Sequence, residues 1–169
     1  MRSTAIRRIL EALIGCAAIA SAAACTQVVA ESSACRNLEY KDGSVARAQY
    51  LPCAGEMIAA LDDLDRQTKA ALDGDRQARS EGQASLRRVT ALMNAAGGRQ
   101  LLERWDDRSL TSLNVDINNA VTHYQAFYMV RILDDSSQFA KESRAAATAE
   151  YDGANRRYED AKRLFRRLN

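Results

Sequence analysis

The fold is decided by residues 110–133, which read LTSLNVDINNAVTHYQAFYMVRIL. Their large apolar side chains recur every three or four residues, which is the spacing that places side chains on one face of an α-helix. The main stripe consists of Leu110, Leu113, Ile117, Val121, Tyr124 and Tyr128, and Phe127, Val130 and Leu133 widen it. Asp107 or Ser109 can cap this helix by accepting a hydrogen bond from its first N–H groups. The segment is therefore predicted to be the central helix of the core.

Downstream of this helix, residues 137–168 carry a heptad repeat, which is typical of helices that pack along their length. One set of positions holds Ser137, Arg144, Tyr151, Tyr158 and Phe165, and the set three residues later holds Ala140, Ala147, Ala154, Ala161 and Leu168. The small residues predict a close approach to a neighbour, which we expect to be the Ala/Gly-containing face of residues 71–85. Gly153 costs up to about 1 kcal/mol in a helix and is a candidate break. Residues 134–137 either cap this helix or lie on a continuous one.

Upstream, a first long helix is predicted to begin at Pro52, because proline is tolerated in the first turn. Met57, Leu61 and Leu64 lie on one face of it. Between residues 65 and 85 the only large apolar residue is Leu72, so the helix either breaks near residues 73–75 or continues as a thinly packed arm. Gly97-Gly98 predicts a stop. A short helical piece is predicted at residues 99–108.

The composition favours helices over sheets. The chain has one proline and 6% aromatic residues, and no stretch alternates convincingly enough to predict a strand. The fold class is therefore predicted to be all-α, either an antiparallel helical bundle or a helical hairpin with long helices. We place this helical domain at residues 51–169, preceded by a tether and irregular segment at residues 25–50.

The first 24 residues have the organisation of a secretory signal peptide. Arg2, Arg7 and Arg8 precede an apolar run from Ile9 to Ala24 that is interrupted only by Glu11. The run is shorter than the roughly 20 apolar residues that a spanning helix needs, which favours a signal peptide over a retained membrane helix.

The end of this leader, Ala22-Ala23-Ala24-Cys25, resembles a lipobox, although lipoboxes usually have Leu where Ala22 stands. Resemblance to bacterial lipoprotein precursors implies cleavage before Cys25, acylation of that cysteine and a membrane anchor. With Thr26 rather than Asp next, it also implies sorting to the outer membrane, facing the periplasm. A competing site, Val28-Val29-Ala30, suits ordinary cleavage after Ala30 and would release a soluble periplasmic or secreted protein.

The remaining cysteines, Cys35 and Cys53, are an even pair in an oxidising compartment, so we expect a disulfide. It would pin the segment from Cys35 to Tyr50 to the start of the first long helix, and loop closure would contribute about 3 kcal/mol. Within that segment Asp42-Gly43 predicts a turn. The segment is either an irregular loop or carries a short helix after Ser44.

The charge balance excludes general polyanion binding. The chain has 24 basic and 22 acidic residues, and removing residues 1–25 leaves 21 of each. We therefore expect no nucleic-acid partner. A local excess remains at the C-terminus in Arg156, Arg157, Lys162, Arg163, Arg166 and Arg167. These cations either complement the helix dipole or contact an anionic partner such as lipid headgroups or cell-wall polymer.

No catalytic constellation is visible in the sequence. Asp62, Asp63 and Asp65 form an acidic cluster, which we interpret as caps and a solvated face. His123, Tyr124 and Tyr128 are the candidate ligand pocket, and His123 could bind haem with Met57, Met93 or Met129, although no Cys-x-x-Cys-His motif is present. We expect no enzyme activity, no metal site and no cofactor.

Two functional hypotheses follow. The first is a lipid-anchored helical envelope protein with a structural or protein-interaction role, whose partner or second copy contacts the 137–168 heptad. The alternative is a soluble periplasmic bundle that binds haem or a small apolar ligand.

Overall fold

The computed structural model describes residues 33–41, 44–97, 107–130 and 137–169. The predictions for the leader, for residues 99–106 and for residues 134–136 lie outside these ranges. Within them the chain forms the helices α1 (Arg47–Leu72), α2 (Arg76–Ala95), α3 (Arg108–Met129) and α4 (Gln138–Leu168). The predicted all-α fold is confirmed.

The helices form an antiparallel bundle, and two sets of contacts define its ends. At one end, Arg47 Nη2 donates to the Leu168 carbonyl at 2.7 Å and Nη1 lies 4.0 Å from Asp107. The starts of α1 and α3 therefore meet the end of α4 there, and we call this the Arg47 end. At the other end, which we call the Gly74 end, Arg79 donates to the Val130 carbonyl at 2.7 Å, joining the start of α2 to the end of α3.

Helix boundaries follow from local capping. The carboxylate of Asp107 accepts hydrogen bonds from the N–H groups of Ser109 and Leu110, so of the two predicted caps for α3 Asp107 is the one used. Asp75 caps α2 in the same way, and Ser137 accepts from Ala140 N to cap α4. Gly74, at φ 105°, makes the break between α1 and α2 that the sequence left open. The predicted stop at Gly97 is confirmed by its φ of 87°.

The predicted start of α1 at Pro52 is wrong, because the helix begins at Arg47 and contains Pro52. Proline within a helix forfeits one backbone hydrogen bond, here in the second turn. Tyr50 and Cys53 beside it are fully buried, so tertiary packing outweighs this local cost.

Small elements connect the tether to the bundle. A 3₁₀ helix at Ala34–Asn37 is followed by strands β1 (Tyr40–Lys41) and β2 (Ser44–Val45), which the sequence did not predict. Their antiparallel register pairs Tyr40 with Val45 and Lys41 with Ser44. The turn predicted at residues 42–43 lies outside the described residues.

The predicted disulfide is confirmed. Cys35 and Cys53 are joined at an S–S distance of 2.10 Å, and both are fully buried. Next to the bond, Glu56 accepts hydrogen bonds from Ser33 Oγ at 2.6 Å and from Ala34 N at 2.9 Å. The segment is thus held on the first turns of α1 by a covalent bond and by a shared carboxylate, which sequence reasoning missed.

Two clusters of buried side chains make up the interior. The large core draws on all four helices and the 3₁₀ segment, and includes Met57, Leu61, Leu64, Val89, Leu113, Ile117 and Tyr158. The small cluster consists of Ala71, Ala78, Phe127 and Ala147. The predicted stripe of α3 is buried from Leu110 to Tyr124, while Tyr128 is partly buried.

The alanine positions of the α4 heptad, from Ala140 to Ala161, are buried as predicted, and the expected neighbour is confirmed only in part. Helix α4 packs most extensively on α3 and then on α1. Of residues 71–85, Ala71, Leu72 and Ala78 pack in the small cluster with Ala147 of α4. The helix also continues through Gly153. A Cβ there would lie 3.0 Å from the His123 ring, so the glycine allows α3 and α4 to approach closely.

Across the described parts of the chain, no helix is both long enough and apolar enough to cross a bilayer.

Candidate functional site

The most developed polar cluster lies where α1 faces α3 and α4, around Asp65. Its Oδ1 accepts hydrogen bonds from Tyr124 Oη at 2.8 Å and from Asn155 Nδ2 at 2.9 Å. Tyr151 also hydrogen-bonds to this carboxylate. One side chain of α1 therefore joins donors from two other helices. We call these four residues the Asp65 cluster.

Both tyrosines of the cluster are held in the neutral form. Burial is the main cause that raises the pKa of Tyr124, and the negative charge of Asp65 adds to it. The same two causes raise the pKa of Tyr151 to about 12. A hydroxyl that keeps its proton acts as a hydrogen-bond donor and not as a nucleophile or base. The arrangement serves to hold the helices in register.

A second contact of the same kind lies one turn earlier on α1. Asp62 accepts hydrogen bonds from Tyr158 Oη and from Lys162 Nζ, the latter at 3.0 Å. The ammonium also lies 4.9 Å from the centre of the Tyr158 ring, within range of a cation–π contact. Asp62 and Asp65 of α1 thus both contact side chains of α4.

The predicted solvated role of the acidic cluster holds for Asp62 and Asp63, whose side chains are 57% and 45% exposed, and Asp63 pairs with Arg66 in the next turn. For Asp65 it is wrong, because the carboxylate lies in a helix interface and has three donors. A signal was present in the sequence. Asp62 and Asp65 are three residues apart and flank the buried stripe, where the hydroxyls of tyrosines on other helices need acceptors.

The three residues of the candidate ligand pocket face different partners. His123 Nδ1 lies 2.8 Å from Glu150 Oε2 on α4, and its side chain is 42% exposed. Tyr124 is fully buried and donates to Asp65 on α1. Tyr128 Oη lies 3.0 Å from Thr68 Oγ1, and burial raises its pKa. Each of these polar groups is therefore engaged by the bundle itself.

Arg79 sits beside Tyr128 at the Gly74 end. It donates to the Tyr128 and Val130 carbonyls, and its guanidinium lies 5.6 Å from the ring centres of Phe127 and Tyr128. These contacts tie α2 to the C-terminus of α3, whose last carbonyls lack intrahelical partners. Sequence reasoning missed this role.

A buried amide lies near the opposite end. Asn114 Oδ1 accepts from Tyr50 Oη at 3.1 Å and from Asn118 Nδ2 at 3.3 Å. Its Nδ2 is buried and has no partner among the residues that the structure describes. The Tyr50 contact joins α1 to α3 inside the large core.

The basic C-terminal residues divide into two groups. Four of them contact the bundle: Arg157 pairs with Asp116 at 3.3 Å, Lys162 with Asp62, Arg163 with Asp160, and Arg156 Nε donates to the Asp152 carbonyl. Burial raises the pKa of Asp116, although the Arg157 guanidinium opposes that shift. Arg166 and Arg167, in the last turn of α4, are exposed.

Within the described ranges, no three histidine, cysteine, aspartate or glutamate side chains are grouped so that they could hold a metal ion. No known protein family, curated protein or solved structure matches the chain.

Proposed function

We propose that this chain is an exported cell-envelope protein with a structural or protein-interaction role, held at a membrane by acyl chains on Cys25 and facing the periplasm. The observation that carries the proposal is the buried Cys35–Cys53 disulfide. Such bonds form and persist outside the reducing cytosol, in compartments such as the periplasm. The leader-like sequence of residues 1–24 supports the same route.

The lipobox-like sequence supports the anchor. One acyl chain gives marginal membrane binding, whereas two or more hold a protein stably on a bilayer. Thr26, after the cysteine, favours the outer membrane as the destination.

The polar contacts of the bundle support a role without catalysis. Asp65 is committed to three donors, Tyr124 is a buried neutral hydroxyl, and His123 pairs with Glu150. These groups stabilise helix packing in an interior whose buried α4 alanines already contact α3 and α1. A partner protein or a second copy would therefore contact the outward side of α4.

The anchor is tested by the mass of the mature N-terminus and by membrane fractionation of a Cys25→Ser variant. We expect acyl mass on Cys25 and loss of the variant from the membrane fraction. Cys16→Ser, which changes the other leader cysteine, is the matched control and should fractionate as the native chain does. An unmodified N-terminus at Glu31, or a Cys25→Ser chain that stays with membranes, would contradict the proposed anchor.

Export is tested by the thiol state of Cys35 and Cys53. In cells that are quenched with acid and then denatured in the presence of an alkylating reagent, both cysteines of the leader-bearing chain should be protected. In a chain that starts at Thr26 and stays in the cytosol, both should be alkylated. Free thiols in the leader-bearing chain would contradict export to an oxidising compartment.

A further inference from the structure

Four exposed arginines lie in helix termini at the Arg47 end of the bundle. Arg47 opens α1, Arg108 opens α3, and Arg166 and Arg167 lie in the last turn of α4. The contacts of Arg47 with the Leu168 carbonyl and with Asp107 show that these three helix termini meet. The Arg47 end thus presents a cluster of fixed positive charge. We call the surface formed by these four arginines the arginine end.

These arginines differ from the other basic residues of α4. Arg157, Lys162 and Arg163 each have a carboxylate partner on the bundle. Within the described ranges, the acidic side chain that contacts one of these arginines is Asp107, which also caps α3 and lies 4.0 Å from Arg47. All four guanidinium groups stay charged at every physiological pH.

The opposite end is more evenly balanced. In the turn between α1 and α2, Asp73 and Asp75 stand close to Lys69 and Arg76. That end also exposes the apolar side chains of Met129 and Phe139. The two ends of the bundle therefore differ in the chemistry of the surface that they present.

We infer that the arginine end docks onto the anionic lipid headgroups of the membrane that holds the anchor. This inference rests on the proposed lipid anchor. Guanidinium groups bind phosphate oxygens through two parallel hydrogen bonds, and each basic residue near an anionic surface contributes about 1 kcal/mol.

The short tether from Cys25 to Ser33 favours the lipid headgroups, which lie close to the anchor, as the partner of these arginines. The described fold begins at Ser33, which donates to Glu56 in the first three turns of α1. The chain from Cys25 to Ser33 can span at most about 29 Å, even when fully extended. An anchored bundle is therefore held close to the headgroups. Docking of the arginine end would direct the Gly74 end away from the bilayer.

The test uses the chain from Thr26 onward, which contains the whole compact unit from Ser33 to Asn169 and lacks both the leader and the acylated cysteine. Its binding is measured by co-sedimentation with vesicles of phosphatidylcholine alone and with vesicles that contain one third phosphatidylglycerol. The test variant is Arg166→Gln with Arg167→Gln. The matched control, Lys141→Gln with Arg144→Gln, removes two exposed charges from the other end of the same helix. Far-UV circular dichroism checks that both variants keep the native helix content.

We expect binding to the anionic vesicles only, weakened by salt. The test variant should bind about thirtyfold more weakly, which is the loss of two contacts of about 1 kcal/mol each, and the control should bind within about threefold of the native chain. Equal losses in both variants would overturn the inference. So would absence of vesicle binding, including the case in which the chain instead binds isolated cell-wall polymer. Because the tested chain carries no acyl group, its result is independent of the mass measurement on Cys25, and failure of the anchor can be told apart from failure of the docking surface.

Discussion

The large core and the small cluster hold the two halves of the bundle by different means. The large core buries leucine, isoleucine, methionine and tyrosine side chains and encloses the disulfide. The small cluster has three alanines and one phenylalanine, so it removes much less apolar surface from water. There, specific contacts such as Tyr128–Thr68 and Arg79–Val130 join the helices. The stability of the half around the large core thus depends mainly on buried apolar volume. The stability of the half around the small cluster depends more on close fit and hydrogen bonds.

The largest expected loss of stability comes from a substitution in the large core. Ile117 is fully buried in α3, so Ile117→Ala removes apolar contacts and leaves a cavity. We expect the free energy of unfolding to fall by about 2–5 kcal/mol in chemical denaturation. Val115→Ala in the same helix is the control, because Val115 is 36% exposed, and it should change stability by less than about 1 kcal/mol. Similar losses of stability from the two variants would mean that the buried face of α3 contributes no more to stability than its exposed face.

The close fit of the other half is tested at Gly82 on α2. A Cβ at this position would overlap the hydroxyl of Tyr128 and lie 3.3 Å from Gln67 Cβ. Gly82→Ala should therefore displace Tyr128 from Thr68 and cost about 1–3 kcal/mol in the free energy of unfolding, despite the better helix propensity of alanine.

The double variant Gly82→Ala with Tyr128→Phe removes the overlapping hydroxyl. It should lose less stability than the sum of the two single substitutions, because the clash needs both groups. Strictly additive losses would show that Gly82 and Tyr128 are not coupled.

The sequence predicted the part of the bundle around the large core better than the contacts that depend on close fit. The stripe from Leu110 to Tyr124 and the paired cysteines are local patterns or simple counts, and both predictions are confirmed. The close approach of α4 to α3 at Gly153 depends instead on a contact with His123, which is far from Gly153 in the sequence. Helix propensity alone makes Gly153 a candidate break, because nothing in the local sequence reveals that the imidazole of His123 lies beside it.

The same limit applies to the Asp65 cluster. An aspartate next to other aspartates on a helix resembles a solvated face until the donors of α3 and α4 are placed beside it. The hydroxyls of Tyr124 and Tyr151 were visible in the sequence as groups that need partners. Choosing Asp65 as the acceptor required the tertiary arrangement.

The Asp65 cluster, between the two halves, should give the bundle an alkaline limit. The pKa of Tyr124 is raised in the folded state, whereas in the unfolded chain it is about 10. The folded chain therefore keeps its proton longer, and the stability that this group contributes is fully present below pH 10 and decreases as the pH rises above it. The denaturant midpoint is measured from pH 8 to 11.5. In the native chain it should decrease as the pH rises above 10, and in Tyr124→Phe it should decrease less steeply. The same pH dependence in the native chain and in Tyr124→Phe would contradict the raised pKa of Tyr124.

The smallest effect is expected at the Gly74 end, outside the small cluster. Phe139 lies in the first turn of α4 and is 66% exposed, so its ring has little contact to lose. Phe139→Ser should change the free energy of unfolding by no more than about 0.5 kcal/mol in the same denaturation experiment. A loss above about 1 kcal/mol would place Phe139 within the packed interior and extend the small cluster to the first turn of α4. A near-zero change would mean that the interior ends at Ala140, and that the ring of Phe139 remains an exposed apolar surface at the end opposite the arginines.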